Sequence, residues 1–140
     1  MLKDTAMYIY NKETGISTNN TYFICNDNED NVWCATRSDG ILKITASTCT
    51  TYNTDCGLPT NDFTYAFTDK NKNLWFGTAD GYLVKYKDAA FELFYFKEFD
   101  GNKIKDIDED SKNNLWLTIS NIGIAKFDGK NITCYSGSEV

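Results

Sequence analysis

The side chains able to do chemistry in this 140-residue chain are mostly carboxylates. There are 20 Asp and Glu against 14 Lys and Arg, with no His at all. Without His there is no Ser–His–Asp triad, no imidazole general base and none of the zinc sites that need imidazole, which are most of them. Two acidic stretches stand out, "DNEDN" at 27–31 and "DIDEDSKNN" at 106–114. Both resemble calcium loops in composition. Neither has the Gly at position 6 and Glu at position 12 that an EF-hand requires. Asp and Asn also build tight turns by accepting hydrogen bonds from their own backbone, and that chemistry fits both stretches. No metal site and no cofactor is implied.

Asp106 and Asp108 alternate along a segment that reads as a strand, so both fall on one face. They are suited to a cation or to sugar hydroxyls, or simply to a solvated wall. As a glycosidase pair they fail, because two residues on one strand sit roughly 6.5–7 Å apart on the same side, whereas such a pair must flank a bond from opposite sides. The five Cys (Cys25, Cys34, Cys49, Cys56 and Cys134) include no CxxC spacing. An odd count leaves at least one thiol free. Cys25 and Cys34 flank a hairpin turn symmetrically, which allows a cross-strand disulfide or two small buried apolar groups.

Charge and hydropathy narrow the class further. A net charge of −6 and a single Arg, Arg37, argue against a nucleic-acid partner, which needs clustered cations. There is no apolar run of 18 residues to span a membrane, and "MLKDTAMYIY" lacks the apolar centre of a signal peptide. With 41% hydrophobic and 15% aromatic residues, the chain has material for a core.

The elements that position these groups are set by an internal repeat. "NVWCATRSDGILKI", "NLWFGTADGYLVKY" and "NLWLTISNIGIAKF" begin at Asn31, Asn73 and Asn114. Trp33, Trp75 and Trp116 are separated by 42 and 41 residues; an Asp precedes each by six and a Lys follows each by ten. Within the repeat the apolar runs are short, alternating and rich in Tyr, Phe, Ile and Thr, with Gly, Asn and Asp between them, which reads as strands and hairpins and not as helical pairs. The second copy reads as strands at 63–68, 74–78, 82–86 and 91–97. The first reads as 22–26, 32–36, 41–45 and 48–52, and the third as 104–109, 115–119, 124–127 and 131–135. Four antiparallel strands in about 42 residues describe a β-propeller blade. The fold class is therefore all-β: three blades over approximately 20–56, 60–99 and 102–137, with a leading half blade at 6–18. Trp33, Trp75 and Trp116 are expected between neighbouring blades, with Gly40, Gly81 and Gly123 at the hairpin turns and Ala35 and Gly77 leaving room for the next blade.

This pattern resembles the two-component regulator propeller repeat, which reads approximately Asn-Leu-Trp-Ile-Gly-Thr, a Gly turn, then Leu-Tyr-Arg-Tyr. "CGLPTNDF" at 56–63 is similar to that family's blade-to-blade linker, and "MYIYNKETG" at 7–15 to its third strand running into the turn before the fourth. The first copy departs from the family at Cys34-Ala35 and the third at Leu117-Thr118-Ile119. The resemblance implies a periplasmic sensor module of a hybrid two-component system, of the kind found in Bacteroidetes, responding to oligosaccharides and coupled to a histidine kinase that this chain does not contain. The residues themselves offer no convincing catalytic constellation, so the chain is not expected to be an enzyme. The alternatives are a protein–protein interaction scaffold and, third, a propeller lyase or glycosidase.

Propellers bind ligands on the face built by the loops between the second and third strands and by the blade-to-blade linkers. The expected contacts there are Arg37, Ser38, Asp39, Asp80, Ser120 and Asn121 from the hairpin loops. Thr60, Asn61, Asp62, Asn102 and Lys103 join from the linkers, with Phe63 and Tyr65 as aromatic platforms. Three blades are fewer than the four to eight that close a ring. The chain is expected to be completed by further propeller blades of a larger protein, or by a homo-oligomer in which two copies make six or seven blades.

Overall fold

A computed structural model describes residues 6–18 and 20–135. Its twelve strands form three four-stranded antiparallel sheets, each in simple sequential order. The first blade holds β1 (Thr21–Asn26), β2 (Val32–Thr36), β3 (Ile41–Ile44) and β4 (Cys49–Tyr52). The second holds β5 (Phe63–Thr68), β6 (Leu74–Thr78), β7 (Tyr82–Lys87) and β8 (Ala90–Tyr95). The third holds β9 (Ile104–Glu109), β10 (Leu115–Ile119), β11 (Gly123–Phe127) and β12 (Ile132–Tyr135). The first strands, β1, β5 and β9, meet one another across the blade boundaries, which makes them the inner edge of the stack. Each inner strand carries an irregularity of register near its start or beside its partner's end, a bulge that adds twist where sheets converge.

The repeated Asp, Asn, Trp and Lys prove to be one physical unit. In the second blade an Asp69 carboxylate oxygen accepts the backbone N–H groups of Asn71 and Asn73, both at 2.9 Å. Its other oxygen accepts the Asn73 amide at 2.9 Å and the Trp75 indole N–H at 2.8 Å. The first blade repeats this with Asp27, Asn31 and Trp33, and the third with Asp110, Asn114 and Trp116. Directly across the ladder from each Trp lies its Lys, with Nζ 5.2, 5.1 and 5.9 Å from the ring in Lys43, Lys85 and Lys126. Each such cation–π contact contributes about 0.5–1 kcal/mol at an exposed site. The same carboxylate thus fixes the tight turn before the second strand and the rotamer of the ring that enters the core.

Two continuous cores fill the blade boundaries. Between the first and second blades, Trp33, Ala35 and Ile41 meet Leu74, Phe76 and Val84, with Leu58 of the linker inserted beside them. Between the second and third, Trp75 and Leu83 meet Leu115, Leu117 and Ala125, with linker residue Phe99 inserted. Full burial of one such aliphatic or Phe side chain contributes about 1.5–3 kcal/mol. Gly77 is required at its position: a Cβ there would lie 2.7 Å from an Ile104 methyl carbon on the facing inner strand. Gly40 and Gly81 hold positive φ of 86° and 93° at the hairpin turns, close against the carbonyls of Tyr52 and Phe99.

Several expectations need correction. Residues 6–18 contribute no strand: they hold one 3-10 turn at Lys12–Thr14, and Met7 and Tyr8 are 81% and 80% exposed. With no sheet beside it, a lone segment gains no ladder. Its place in the repeat also differs from the expected third strand. Asn11 caps the Lys12–Thr14 turn as Asn53 caps the turn at Thr54–Cys56, and Gly15 and Gly57 end the two turns in the same left-handed conformation. Ile16 then enters an apolar cluster as Leu58 does. Met7–Tyr10 therefore occupy the place of the fourth strand, like β4. Cys25 pairs across the ladder with Trp33, and Cys34 with Ile24. These are successive positions on opposite sheet faces, so the two thiols do not face each other, and all five Cys are free.

The Asp–Trp clasp makes two measurable statements. Asp69 and Trp75 are both buried, so Asp69→Ala strands the indole and backbone donors. It is expected to cost about 2 kcal/mol or more in denaturant unfolding; a loss under about 0.5 kcal/mol, typical of a surface change, would refute the role. The Asp110 carboxyl is held well below its usual range by the bonds from Trp116 and Asn114. At Asp27, burial pushes upward but is outweighed by the bonds from Trp33 and Asn31, with a net lowering. A lowered native value means the unfolded chain binds protons first. Stability is then complete above the unfolded value of about 3.9 and falls as pH drops through it toward the lower native values. Unfolding midpoints at pH 6 and pH 3 should differ less in the Asp27→Asn, Asp110→Asn double variant than in the wild type; an unchanged difference would remove the clasp as the cause.

Candidate functional site

The face carrying the linkers and the loops between second and third strands is built from one repeated bond. The first residue of each loop, or the one occupying its place, donates its backbone N–H to the carbonyl just before an inner strand. Arg37 bonds Asn20 at 3.1 Å, Ala79 bonds Asp62 at 3.1 Å, and Ser120 bonds Lys103 at 2.9 Å. These bonds draw each loop toward the inner edge, and side chains from different blades converge there. Asp62, on the linker between the first two blades, senses Arg37 of the first blade, Asp80 of the second and Lys103 of the next linker. Burial raises the Asp62 carboxyl above its usual value, the two cations pull it back, and Asp80 pushes it further up. Lys103 also reaches across to the first blade, where its Nζ lies 5.7 Å from the centre of the Tyr22 ring.

Just below this cluster, Phe23, Tyr65 and Asp106 hold the same repeat position on β1, β5 and β9. Phe23 and Tyr65 have ring centres 4.3 Å apart. The Tyr65 hydroxyl is pushed up to about 12, first by burial, then by its hydrogen bond to Asp106 and the charges of Asp106 and Asp108. Asp106 and Asp108 are both exposed. The arrangement offers two cations, several carboxylates, a phenol and aromatic faces along one edge. That set can hold a polar, hydroxyl-rich or charged molecule. Among the described residues, no group of three or more His, Cys, Asp or Glu is placed to hold a metal ion.

The remaining candidates divide between this cluster and the framework. Asn61 is occupied: its side-chain oxygen accepts the Thr54 N–H at 2.9 Å and its carbonyl accepts the Gly40 N–H at 2.8 Å. Thr60 accepts the Asp62 N–H at 3.2 Å. Asn121 donates to the Asn102 side chain at 3.2 Å, so the two form a tie between loop and linker. Asp80 accepts the Thr78 hydroxyl at 2.7 Å while still facing Asp62. Ser38 is exposed and its hydroxyl contacts Asp39 at 3.4 Å. Phe63 is fully buried, edge-on to Phe76 at 6.3 Å, so it is no platform for a ligand. It opens β5 on the side that meets the first blade, and the register irregularity between Phe63 and Tyr65 separates the two rings.

Tyr22 and Phe23 were not among the sequence candidates. The signal that could have found them is variation within the repeat, since Tyr22, Thr64 and Lys105 share one position and differ in chemistry. A second, polar cleft of about 420 Å³ opens between the first two blades at the opposite edge, lined by Asp27, Glu29, Lys43, Lys72, Tyr86 and Asp88. The Asp27 carboxylate in it is already committed to Trp33 and Asn31.

The family model for the two component regulator propeller matches residues 57–80, which span the first linker, β5, β6 and the following loop. No curated protein matches the chain in sequence. Among solved structures it is similar to the extracellular domain of a protein assigned to a hybrid two component system of B. thetaiotaomicron. Identity is 23% and the TM-score 0.82, over 94% of this chain and 19% of that one. A second such extracellular domain from B. thetaiotaomicron gives 24% identity and a TM-score of 0.76, over 94% of this chain and 18% of that one. A virginiamycin B lyase from Staphylococcus aureus, solved with quinupristin, gives 19% identity and a TM-score of 0.71, over 87% of this chain and 43% of the lyase. The chain thus spans about a fifth of the length of the extracellular domains it matches. It is a run of three β-propeller blades, with a match to the two component regulator propeller over residues 57–80, from the first linker into the second blade.

Proposed function

We propose that this chain is a non-catalytic, ligand-sensing part of an extracellular or periplasmic propeller, belonging to a receptor that signals through a two-component kinase. The observation that carries the reading is the convergence of Arg37, Asp62, Asp80 and Lys103 from two blades and two linkers onto one face, beside the inner-edge aromatics. A ligand bound there touches several blades at once. Its binding energy then bears on how the blades sit against each other, which is what a sensor needs. The matched repeat and the likeness to extracellular domains of hybrid two component systems support the same reading.

The ligand class that fits is an oligosaccharide. Planar polar groups (Arg37, Asp62, Asp106) suit hydroxyls, and Tyr22 and Tyr65 offer ring faces. Binding rather than turnover is favoured because the chain has no His, and the Asp of each turn before a second strand is committed to its Trp, Asn and backbone.

A glycan array followed by calorimetry on the full chain tests this. A binder is expected whose affinity falls at least about tenfold in Lys103→Ala and in Tyr65→Ala, and stays unchanged in Asp88→Ala at the opposite edge. Binding lost in Asp88→Ala and kept in the other two would move the site to the other edge. Absence of any saccharide binder, with a protein captured through the same face, would favour the scaffold reading.

A further inference from the structure

The two ends of the blade stack carry the residue positions of the two sides of an internal boundary. Within the molecule, the boundary between the first and second blades joins a Trp side, formed by Trp33, Ala35 and Ile41, to a linker side, formed by Leu58, Phe76 and Val84. The outward face of the first blade already presents a linker side. Ile16 sits where Leu58 would, packed on Cys34 and Leu42, which hold the repeat positions of Phe76 and Val84. The outward face of the third blade presents a Trp side, with Trp116, Thr118 and Ile124 in the positions of Trp33, Ala35 and Ile41. Tyr135 stacks on Trp116 at 5.7 Å, as Tyr52 stacks on Trp33 at 5.7 Å. At the first blade Ile16, Cys34 and Leu42 are already buried, and the bare apolar residue there is Ile24; at the third blade it is Ile124. Ile124 is 47% exposed where Ile41 is 0%, and Ile24 is 67% exposed where Ala66 is 6%.

We propose that these faces meet between copies of this chain, head to tail, with the third blade of one copy packed on the first blade of the next as a continuation of the internal boundaries. The partner is a second copy because the exchanged volumes match within this one sequence. Inside the stack a small residue beside the Trp faces a large one opening the next inner strand, as Gly77 faces Ile104. At the third blade the small residue is replaced by the larger Thr118. The residue opening β1, which it would face, is the smaller Thr21 in place of Ile104 or Phe63. By the repeat, Met7–Tyr10 of one copy fall at the place of the other copy's β12, so in the contact these four residues, which form no strand and are exposed, give way to β12. Two copies make six blades, within the range that closes a ring, and a head-to-tail contact closes when its rotation permits. This assembly does not depend on the ligand reading.

Light scattering of the full chain over a range of concentrations provides the test. The expected mass is twice the 15.9 kDa of one chain, falling to one chain in Ile124→Asp and in Ile24→Asp. Both sites are exposed, so circular dichroism should show each variant folded. Mixing the two variants should restore a two-chain species, because the Ile24→Asp copy keeps its Trp side and the Ile124→Asp copy keeps its linker side. A wild type that stays monomeric at every concentration would overturn the proposal and assign these faces to blades of another polypeptide or of a longer chain. So would an oligomer indifferent to both substitutions, or variants that fail to rescue each other.

Discussion

The structure depends on a carboxylate that serves two masters. In each blade one Asp closes the turn before the second strand and holds the indole N–H of the Trp that follows. A buried indole needs a hydrogen-bond partner, and an unpartnered one costs about as much as a lost hydrogen bond. By supplying that partner from a turn, the sequence ties the geometry of a surface loop to the orientation of the largest ring in the core. The conserved spacing within the chain follows from this: six residues are what it takes for a turn and one strand step to bring the carboxylate back over the ring.

Blades cannot bury both faces alone, so the stack is only as good as its boundaries. Those boundaries work by exchange of volume between a small residue beside the Trp and a large one on the next inner strand, with a linker side chain closing the remaining gap. Ile16, Leu58 and Phe99 fill that last role. The same rule accounts for the two end faces, where Ile16 covers Cys34 and Leu42 but Ile24 and Ile124 stay exposed.

Positions that repeat and positions that do not repeat divide the labour. The repeated Asp, Asn, Trp and Lys are absorbed by turns and cores. Other positions of the inner strands differ from blade to blade: Phe23, Tyr65 and Asp106 in one row, Tyr22, Thr64 and Lys105 in the row before it. Architecture requires sameness, whereas recognition of one asymmetric molecule by a quasi-symmetric scaffold requires difference. The cluster around Asp62 sits among the differing positions; burial raises its carboxyl, while Arg37, Lys103 and Asp80 act on it from different blades and linkers.

The sequence by itself determined the all-β class, the three blades, the location of nearly every strand and the inter-blade place of Trp33 and Trp75, because alternation and turn residues are local and the repeat printed them three times. The loops that form the candidate face were legible for the same reason. Their roles were not. Asn61 reads like a ligand contact but is spent on the linker, and Phe63 reads like a platform but is buried. The partnership of Arg37, Asp62, Asp80 and Lys103 spans 66 residues of chain. It arises only when the inner strands converge, and no local pattern encodes that distance. Met7–Tyr10, which form no strand, could be assigned to the fourth-strand position of the repeat only once the capped turns at Asn11 and Asn53 were seen to match. Tertiary structure decided these matters because each turns on which groups share a surface, and a side chain's freedom to bind is set by neighbours far away in sequence.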